Sequence, residues 1–472
     1  MRSFALLPLL ASLSVALQLY VEERSVPLSC ALTDAFPSGP GTAYTSQAPS
    51  AQLSSALRDI SSSNVEEIIT SLVGFGTRNT MSSQTDPVRG VGAAQRWLEA
   101  RMGNLTEGVA HAKVEVQTYE QPASGSILFP VNISNVVTTF TGSVTPNRVY
   151  IITGHYDSRN TNNSDFINDA PGADDDGSGV AVVLELIRVF SKLPQPKATI
   201  MLGAVSGEEQ GLLGSGNFAN ITRDAGLDVQ GMFTNDIVGS SKGDPGSSDP
   251  HTIRLFAQGV PSFTESLAQM TNRVQVGGEN DSPARELARF AADVASNSVT
   301  DMNVAVVYRA DRFLRGGDHE PFLRQGFPAA RFTEPHENFA HQHQDVRVQD
   351  GTQFGDLPEF CDFPFNARVA RVNGATIWSL AAAPGTPKNV TLDTSVLTNN
   401  STLTWSVDNE SGMTAGYEVL WRATDAPRWT NVIGVGFVGR ATVDVSKDNA
   451  IMAVRAVGKD GMRSPGAFPL GV

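Results

Sequence analysis

Three short strings in the middle of the chain concentrate residues that bind metal ions or carry protons. They are GHYDS at 154–158, PGADDDGSG at 171–179 and SGEEQGLLGS at 206–215. Imidazole and carboxylate groups are common zinc ligands, and crowded carboxylates repel one another unless a cation or a helix N-terminus offsets their charge. The strings therefore predict a hydrolytic site that contains metal.

Within these strings, the spacing suggests separate roles for individual residues. A zinc-bound imidazole usually donates its second N–H to a carboxylate, so Asp157 is a natural partner for His155. Adjacent side chains that leave a strand point in different directions, so one of Glu208 and Glu209 can bind metal while the other faces a water molecule. Helix capping is the simpler interpretation of Asp176, and a solvated loop is the simpler interpretation of the Glu pair.

The segments around these strings alternate between strand and helix. Apolar runs typical of buried strands lie at 149–153, 198–205, 229–234, 304–308 and 329–332, and helical spacing of apolar residues runs over 179–193. This alternation predicts an α/β fold with a mostly parallel central sheet and helices on both faces. Such sheets bind ligands beyond the carboxyl ends of their strands. The residues that follow predicted strands there are His155, Glu208, Glu209 and Asp236.

The three strings, in this order and at this spacing, closely resemble those of the M28 family of zinc peptidases, which includes bacterial and fungal leucyl aminopeptidases. The resemblance covers roughly residues 60–380. It implies a phosphorylase/hydrolase-like sheet that carries two co-catalytic Zn²⁺ ions. The implied metal ligands are His155, Asp175 as the bridging ligand, Glu209, Asp236 within MFTNDIVG, and His341. It also implies that Asp157 orients His155 and that Glu208 is the general base for a metal-bridged water.

The last ligand rests on a string that departs from the family pattern. The family places a His four residues before an Asp, and within HENFAHQHQD only His341 with Asp345 keeps that spacing. If the register slips, His343 takes the role instead. The preceding stretch at 315–335 also looks like the family's, so Asp318 and His319 are expected to line the pocket or support the metals. An ordinary ion pair in a loop is the alternative for these two residues.

The N-terminal region predicts secretion. Residues 1–16 combine one Arg, a short apolar run and small residues before Ala16, as a signal peptide does, and a retained anchor is the alternative. Residues 17–60, rich in Ser, Pro, Ala and Thr, are expected to be a propeptide or a loosely attached arm. Nine N-x-S/T glycosylation sequons agree with secretion, at Asn104, Asn132, Asn162, Asn220, Asn280, Asn389, Asn399, Asn400 and Asn409. Cys30 and Cys361, the two cysteines, are expected to form a disulfide, with two buried free thiols as the alternative.

The C-terminal region has a different composition from the centre. The zinc peptidase domain is expected at 61–380, a linker at 381–388, and a β-sandwich of short alternating segments at 389–472. The strings TLTWS, AGYEVLWR and VRAVGKDGMRSP in this last region resemble a fibronectin type III domain. It is expected to be either a contact module for other macromolecules or a stabilising appendage.

These observations together favour a secreted di-zinc exopeptidase that acts on peptides, with an aminopeptidase as the leading interpretation. A carboxypeptidase on the same scaffold and a non-catalytic, receptor-like ectodomain are the alternatives. The net charge of −14 argues against nucleic acid as a partner, because phosphate binding needs clustered Lys and Arg. The sequence also offers no long apolar stretch after the N-terminal segment that could span a membrane.

Overall fold

The computed structural model describes residues 39–244, 246–260, 265–408 and 411–471. The strands are β1 (Thr42–Ala43), β2 (Ala112–Gln121), β3 (Val131–Phe140), β4 (Thr145–His155), β5 (Ala198–Val205), β6 (Asp228–Asn235), β7 (Thr252–Ala257), β8 (Asn303–Val307), β9 (Ala329–Thr333), β10 (Arg347–Gln349), β11 (Thr352–Phe354), β12 (Lys388–Leu392), β13 (Ser401–Ser406), β14 (Thr414–Ala423), β15 (Asn431–Gly436), β16 (Arg440–Val443), β17 (Ala450–Gly458) and β18 (Leu470–Gly471). The helices are α1 (Ala51–Arg58), α2 (Ser62–Val73), α3 (Val91–Leu105), α4 (Gly177–Phe190), α5 (Leu213–Asp224), α6 (Leu267–Gln275), α7 (Pro283–Ala295), α8 (His319–Arg324) and α9 (Phe363–Ala382), with a 3-10 turn at Pro358–Phe360.

The large sheet has eight strands in the order β2-β3-β5-β4-β6-β9-β7-β8. Its centre is parallel, because β4 pairs in parallel with β5 and β6, and β6 pairs in parallel with β9. Antiparallel pairs join β2 to β3, β3 to β5 and β7 to β9. The predicted mostly parallel α/β sheet is therefore confirmed, although β2, β3 and β7 had not been predicted. The parallel strands are buried on both faces, which explains their continuous apolar sequences.

Helix α4 begins directly beside the end of strand β4, and glycine makes this approach possible. A Cβ atom on Gly154 would lie 2.4 Å from the backbone carbon of Gly179, and a Cβ on Gly179 would lie 2.4 Å from the backbone oxygen of Asn235. Both distances are too short for any side chain. The glycines thus let the N-terminus of α4 approach the strand ends that carry the candidate site.

The described part of the N-terminal segment differs from the expected loose arm. Helix α1 buries Leu53 and Leu57 in the same hydrophobic core that contains α4 and α9. Strand β1 pairs in antiparallel fashion with β15 of the C-terminal region. Residues 40–60 therefore belong to the folded unit, because their two leucines lie one helical turn apart and face the core.

We expect Leu57→Ala to lower the free energy of unfolding by about 3 kcal/mol, because Leu57 is fully buried and its removal leaves a cavity. Urea unfolding followed by tryptophan fluorescence measures this change. The exposed Gln52 on the same helix supplies the control, since Gln52→Ala should leave the unfolding midpoint nearly unchanged. Equal stability of the two variants would contradict the assignment of α1 to the core.

The C-terminal region forms the expected all-β sandwich, with sheets β1-β15-β14-β17 and β16-β13-β12-β18. Its core contains Trp405, Tyr417 and Val454. Helix α9 runs to Ala382 and β12 starts at Lys388, so the connection is shorter than the predicted linker at 381–388. The sandwich is attached to α7 through buried charges, since Asp281 accepts hydrogen bonds from Arg289 (2.6 Å) and from Arg422 (2.7 Å).

Some expectations fall partly or wholly outside the described residues. The signal peptide at 1–16, the arm at 17–38, Cys30 and Asn409 lie there. Within the described residues Cys361 is a free thiol, and the eight remaining sequon asparagines are all exposed, as glycan attachment requires. The disulfide and the glycans stay predictions. In the same part of the chain, no helix has both the length and the apolar character needed to cross a bilayer.

Candidate active site

The first group of possible metal ligands lies at the carboxyl ends of β4 and β6. His155 is the last residue of β4, and its Nε2 lies 3.1 Å from Oδ1 of Asp175 and 3.9 Å from Oδ2 of Asp236. His155 is fully buried, and the two carboxyl groups are almost fully buried. One donor atom from each residue can therefore surround a single ion.

A second group shares Asp175 with the first. Nε2 of His343 lies 2.8 Å from Oδ2 of Asp175 and 3.2 Å from Oε1 of Glu209. The two carboxylate oxygens of Asp175 thus face different histidines. This is the arrangement that a carboxylate adopts when it bridges two ions, and it agrees with the bridging role expected for Asp175.

The structure does not bring His341 to this cluster; His343, the alternative expected if the register slips, lies there instead. The ring of His341 stacks on Phe360 with a centroid distance of 3.7 Å. The backbone of His343 has a left-handed conformation (φ 58°), which turns its side chain inward from an irregular loop. Asp345, the residue behind the choice of His341, instead accepts a hydrogen bond from the backbone N–H of Thr161 (3.3 Å).

The buried atoms of the cluster fit divalent cations. Nε2 of His155 and Oε1 of Glu209 are buried, and despite their close neighbours neither makes a hydrogen bond of good geometry among the described residues. Burial raises the pKa of Glu209, because removal from water disfavours its charged form. Burial alone would also raise the pKa of Asp175, but the imidazoles of His343 and His155 hold it well below its usual value. The mixed set of imidazole nitrogens and carboxylate oxygens suits zinc.

Asp157 connects the first histidine to the two glutamates. The carboxylate oxygens of Asp157 accept hydrogen bonds from the backbone N–H groups of Glu208 (3.3 Å) and Glu209 (3.2 Å), and one also accepts from the hydroxyl of Thr80 (3.2 Å). Nδ1 of His155 lies 3.1 Å from the backbone oxygen of Asp157 and 3.6 Å from its Oδ1. Asp157 therefore fixes both the ring of His155 and the loop that carries the glutamates.

The three consecutive aspartates of the 171–179 string have different surroundings. Asp176 caps α4, accepting from the backbone N–H of Gly179 (2.9 Å), and its other oxygen accepts from the N–H of His155 (2.9 Å). Asp174 accepts from the N–H of Gly239 (2.7 Å). Asp175 alone among the three belongs to the two ligand groups. The capping interpretation of Asp176 is thus confirmed.

Glu208 lies at the cluster but belongs to neither ligand group. Burial raises its pKa well above the usual value, and the neighbouring carboxylates Asp236 and Glu209 add to this effect. A carboxylate that remains free of metal and has a raised pKa can accept a proton and release it again. This geometry supports the role of general base.

Asp318 and His319 occupy different positions. Asp318 is buried, and burial raises the pKa of its carboxyl group to about 7. The charges of Asp157 and Asp236 also raise this pKa, whereas the charge of His155 lowers it. The ring of His319 points elsewhere, with Nε2 3.0 Å from the backbone oxygen of Ala310. The structure therefore places Asp318 in the electrostatic environment of the cluster, and His319 in the wall behind it.

Two buried groups around the site were not predicted from the sequence. Arg331 on β9 lies with Nη2 2.7 Å from Oδ1 of Asp236, and with Nη1 3.1 Å from Asp311. Asp356 accepts hydrogen bonds from the N–H groups of Asp174 (2.8 Å) and Asp175 (2.7 Å). In the sequence, Arg331 stands out as a single Arg within the apolar string AARFT, which is a sign of a functional position. The loop around Asp356 carries no local signal.

Comparison with known proteins identifies the family of the chain. The model of peptidase family M28 matches residues 135–349. A probable zinc metalloprotease of Leptosphaeria maculans is 54% identical over 423 residues, 89% of this chain and 97% of that protein. Another from Pyrenophora teres f. teres is 51% identical over 463 residues, 98% of this chain and 95% of that protein.

Among solved structures, that of the Legionella pneumophila LapA aminopeptidase covers 70% of this chain and 75% of its own, with a TM-score of 0.50 and 18% identity. A similarity of this degree shows only a shared fold. The high identity to the fungal proteins, over nearly their whole length, shows the family. The chain is therefore a zinc metallopeptidase that belongs to peptidase family M28.

Proposed function

We propose that the protein is a secreted di-zinc aminopeptidase that removes N-terminal residues from peptides. The observation that carries this proposal is the sharing of Asp175 between two groups of possible ligands, His155 with Asp236 and Glu209 with His343. Two such groups on either side of one carboxylate would hold two ions. A receptor-like ectodomain that had lost its activity would not need to retain both groups together with Glu208.

The residues around the two ligand groups have separate roles in hydrolysis. When bound, zinc would polarise the scissile carbonyl and lower the pKa of the attacking water. Glu208 takes the proton of that water on its carboxylate and delivers it to the nitrogen of the leaving amine. Asp157 holds His155 and the backbone of both glutamates, and Arg331 orients Asp236. These fixed contacts keep the reacting groups in position during turnover.

The choice of an aminopeptidase over a carboxypeptidase rests on the family resemblance, and the LapA aminopeptidase has a similar fold. Buried carboxylates near the metal ligands, such as Asp318, would favour a positively charged substrate group such as a free α-amine. A carboxypeptidase on the same scaffold would instead need a cation in place of these buried carboxylates. The two alternatives therefore differ in the substrates that they accept.

Secretion is proposed from the N-terminal signal pattern and the exposed sequons. In an extracellular enzyme, the C-terminal sandwich, with its resemblance to fibronectin type III, would be available to contact other macromolecules. Its buried contacts with α7 also make it a support for the peptidase domain. Intact-protein mass spectrometry of the secreted chain tests the signal cleavage and the glycans directly.

We expect that chelation abolishes hydrolysis of leucine 4-nitroanilide, and that added zinc restores it as both ligand groups fill. Metal analysis of the restored protein should give two zinc ions per chain. A dipeptide with a blocked N-terminus should not be cleaved, because it lacks the free α-amine. Absorbance at the nitroaniline wavelength and chromatography of the dipeptide measure these outcomes.

Cleavage of the blocked dipeptide but not of the anilide would instead indicate a carboxypeptidase. Failure to bind any zinc, together with no hydrolysis of either substrate, would favour the non-catalytic alternative. A single zinc ion per fully active chain would contradict the shared role of Asp175.

A further inference from the structure

A cleft of about 400 Å³ opens beside the candidate active site and has an unusual charge for this protein. Its lining includes four arginines and one glutamate, namely Arg254, Arg309, Arg312, Arg315 and Glu337. The whole chain has a net charge of −14, so this concentration of positive charge is opposite in sign to the net charge of the protein. A cleft lined by one sign of charge attracts ligands of the opposite sign.

The four arginines of the cleft are not equally neutralised. Glu337 forms ion pairs with Arg254 (3.0 Å) and Arg312 (2.9 Å). Arg309 and Arg315 have no carboxylate within ion-pair distance in the part of the chain that the structure describes. The guanidinium of Arg309 instead lies over the ring of Phe313, 3.8 Å from its centroid. Neither of these two positive charges is therefore neutralised by a carboxylate.

The cleft is continuous with the ligand groups through Arg315. Nη1 of Arg315 lies 3.3 Å from Nδ1 of His343, and Nη2 donates to Oε1 of Gln342 (2.9 Å). The ring of His343 thus separates Arg315 from the position that a metal would take. Arg315 therefore lies between the cleft and the ligand groups.

The residues between the two free arginines form an open, partly apolar lip. Phe313 is 79% exposed and Leu314 is completely exposed, and Phe339 on the facing loop is 56% exposed. Exposed apolar side chains at the mouth of a site are suited to contact with a substrate. Guanidinium groups bind carboxylates through paired N–H donors, more strongly than a neutral donor does.

We propose that Arg309 and Arg315 form a subsite that binds a carboxylate of the peptide substrate. The proposal rests on the peptidase function proposed above, and it adds a preference for anionic peptides. The carboxylate can come from an acidic side chain at the first or second residue, or from the free C-terminus of a short peptide. All three sources offer the same group to the same guanidinium donors.

Matched pairs of substrates identify the source of the carboxylate. Glutamyl and glutaminyl 4-nitroanilide differ at the first residue, Leu-Glu-NH₂ and Leu-Gln-NH₂ differ at the second, and Leu-Gly and Leu-Gly-NH₂ differ at the C-terminus. In at least one pair, we expect kcat/KM to be about tenfold higher for the anionic member, mainly through a lower KM. Raising the salt concentration from about 0.05 to 0.5 M should reduce this ratio, because Arg309 is exposed and Arg315 is partly exposed to solvent.

Substitutions connect the preference to the cleft. Arg309→Gln and Arg315→Gln should each reduce the ratio, and the double substitution should bring it to about one. Arg101→Gln is the matched control, since Arg101 is a partly exposed arginine on α3 that pairs with Glu67 outside the cleft. The control should keep the wild-type ratio, and circular dichroism should show that all variants remain folded.

Two results would overturn the subsite without affecting the peptidase assignment. One is efficient turnover of the neutral peptides with no preference in any pair. The other is a preference for anionic peptides that survives the double substitution. Failure to cleave any of the six substrates would instead count against the proposed function on which the subsite rests.

Discussion

Glu208→Gln should lower kcat for aminoacyl substrates by about 10³-fold while the protein keeps both zinc ions, because a positioned general base contributes a factor of this order. The amide preserves the shape of the side chain but cannot accept the proton of the attacking water. Glu208 lies outside both ligand groups, so its replacement removes no ligand. Steady-state kinetics and metal analysis on the same sample measure the two effects.

The control for this substitution is Glu107→Gln, which should have neither effect, because Glu107 is exposed and lies two residues beyond the end of α3. Loss of zinc from Glu208→Gln would mean that Glu208 is itself a ligand. Activity close to that of the wild type would mean that another group carries the proton, and the buried Asp318 would be the next residue to test.

Exchanging His343 for alanine should weaken zinc binding at one of the two positions by at least about 100-fold, since even the loss of an outer partner of a ligand costs 10- to 100-fold. His343 is the residue that faces both Asp175 and Glu209 at hydrogen-bond distance. The variant should retain one tightly bound zinc and lose most of its activity. Competition with a fluorescent chelator measures the affinity of each position.

His341→Ala is the matched control from two residues away. It removes the stacking on Phe360, which should lower stability by about 1 kcal/mol but leave two zinc ions in place. If zinc is instead lost from His341→Ala and kept in His343→Ala, then His341 is the ligand, as spacing alone suggests.

The central sheet could be predicted from the sequence because its strands are buried on both faces. The apolar run at 198–205 has the same limits as β5, and the run at 229–234 differs from β6 by one residue at each end. Strand β2 lies at the edge of the sheet and alternates between half-buried and exposed residues, and β3 beside it carries Asn, Ser and Thr among its buried residues. Their sequence patterns are weaker than those of the central strands, because polar residues interrupt the apolar runs.

The candidate site could be predicted where its residues follow strands. His155 and Asp236 lie at strand ends, and the turn before α4 fixes Asp175, so local sequence determines their direction. His343 lies in a loop between β9 and β10 that has no regular structure, and its direction depends on a left-handed backbone angle. A spacing rule cannot detect such a reversal. Asp356 and Arg331 reach the site through tertiary packing alone, so local sequence gives little sign of them.

Strand β1, near the start of the folded region, pairs with β15, so Thr42 finds its partner at Val432. During synthesis on the ribosome this partner emerges only after nearly all of the chain, because polypeptides are made from the N-terminus. Strand β1 therefore has no pairing partner while the peptidase core assembles. Release of a shortened chain that stops before β15 would leave that edge open to other molecules, and such fragments should aggregate.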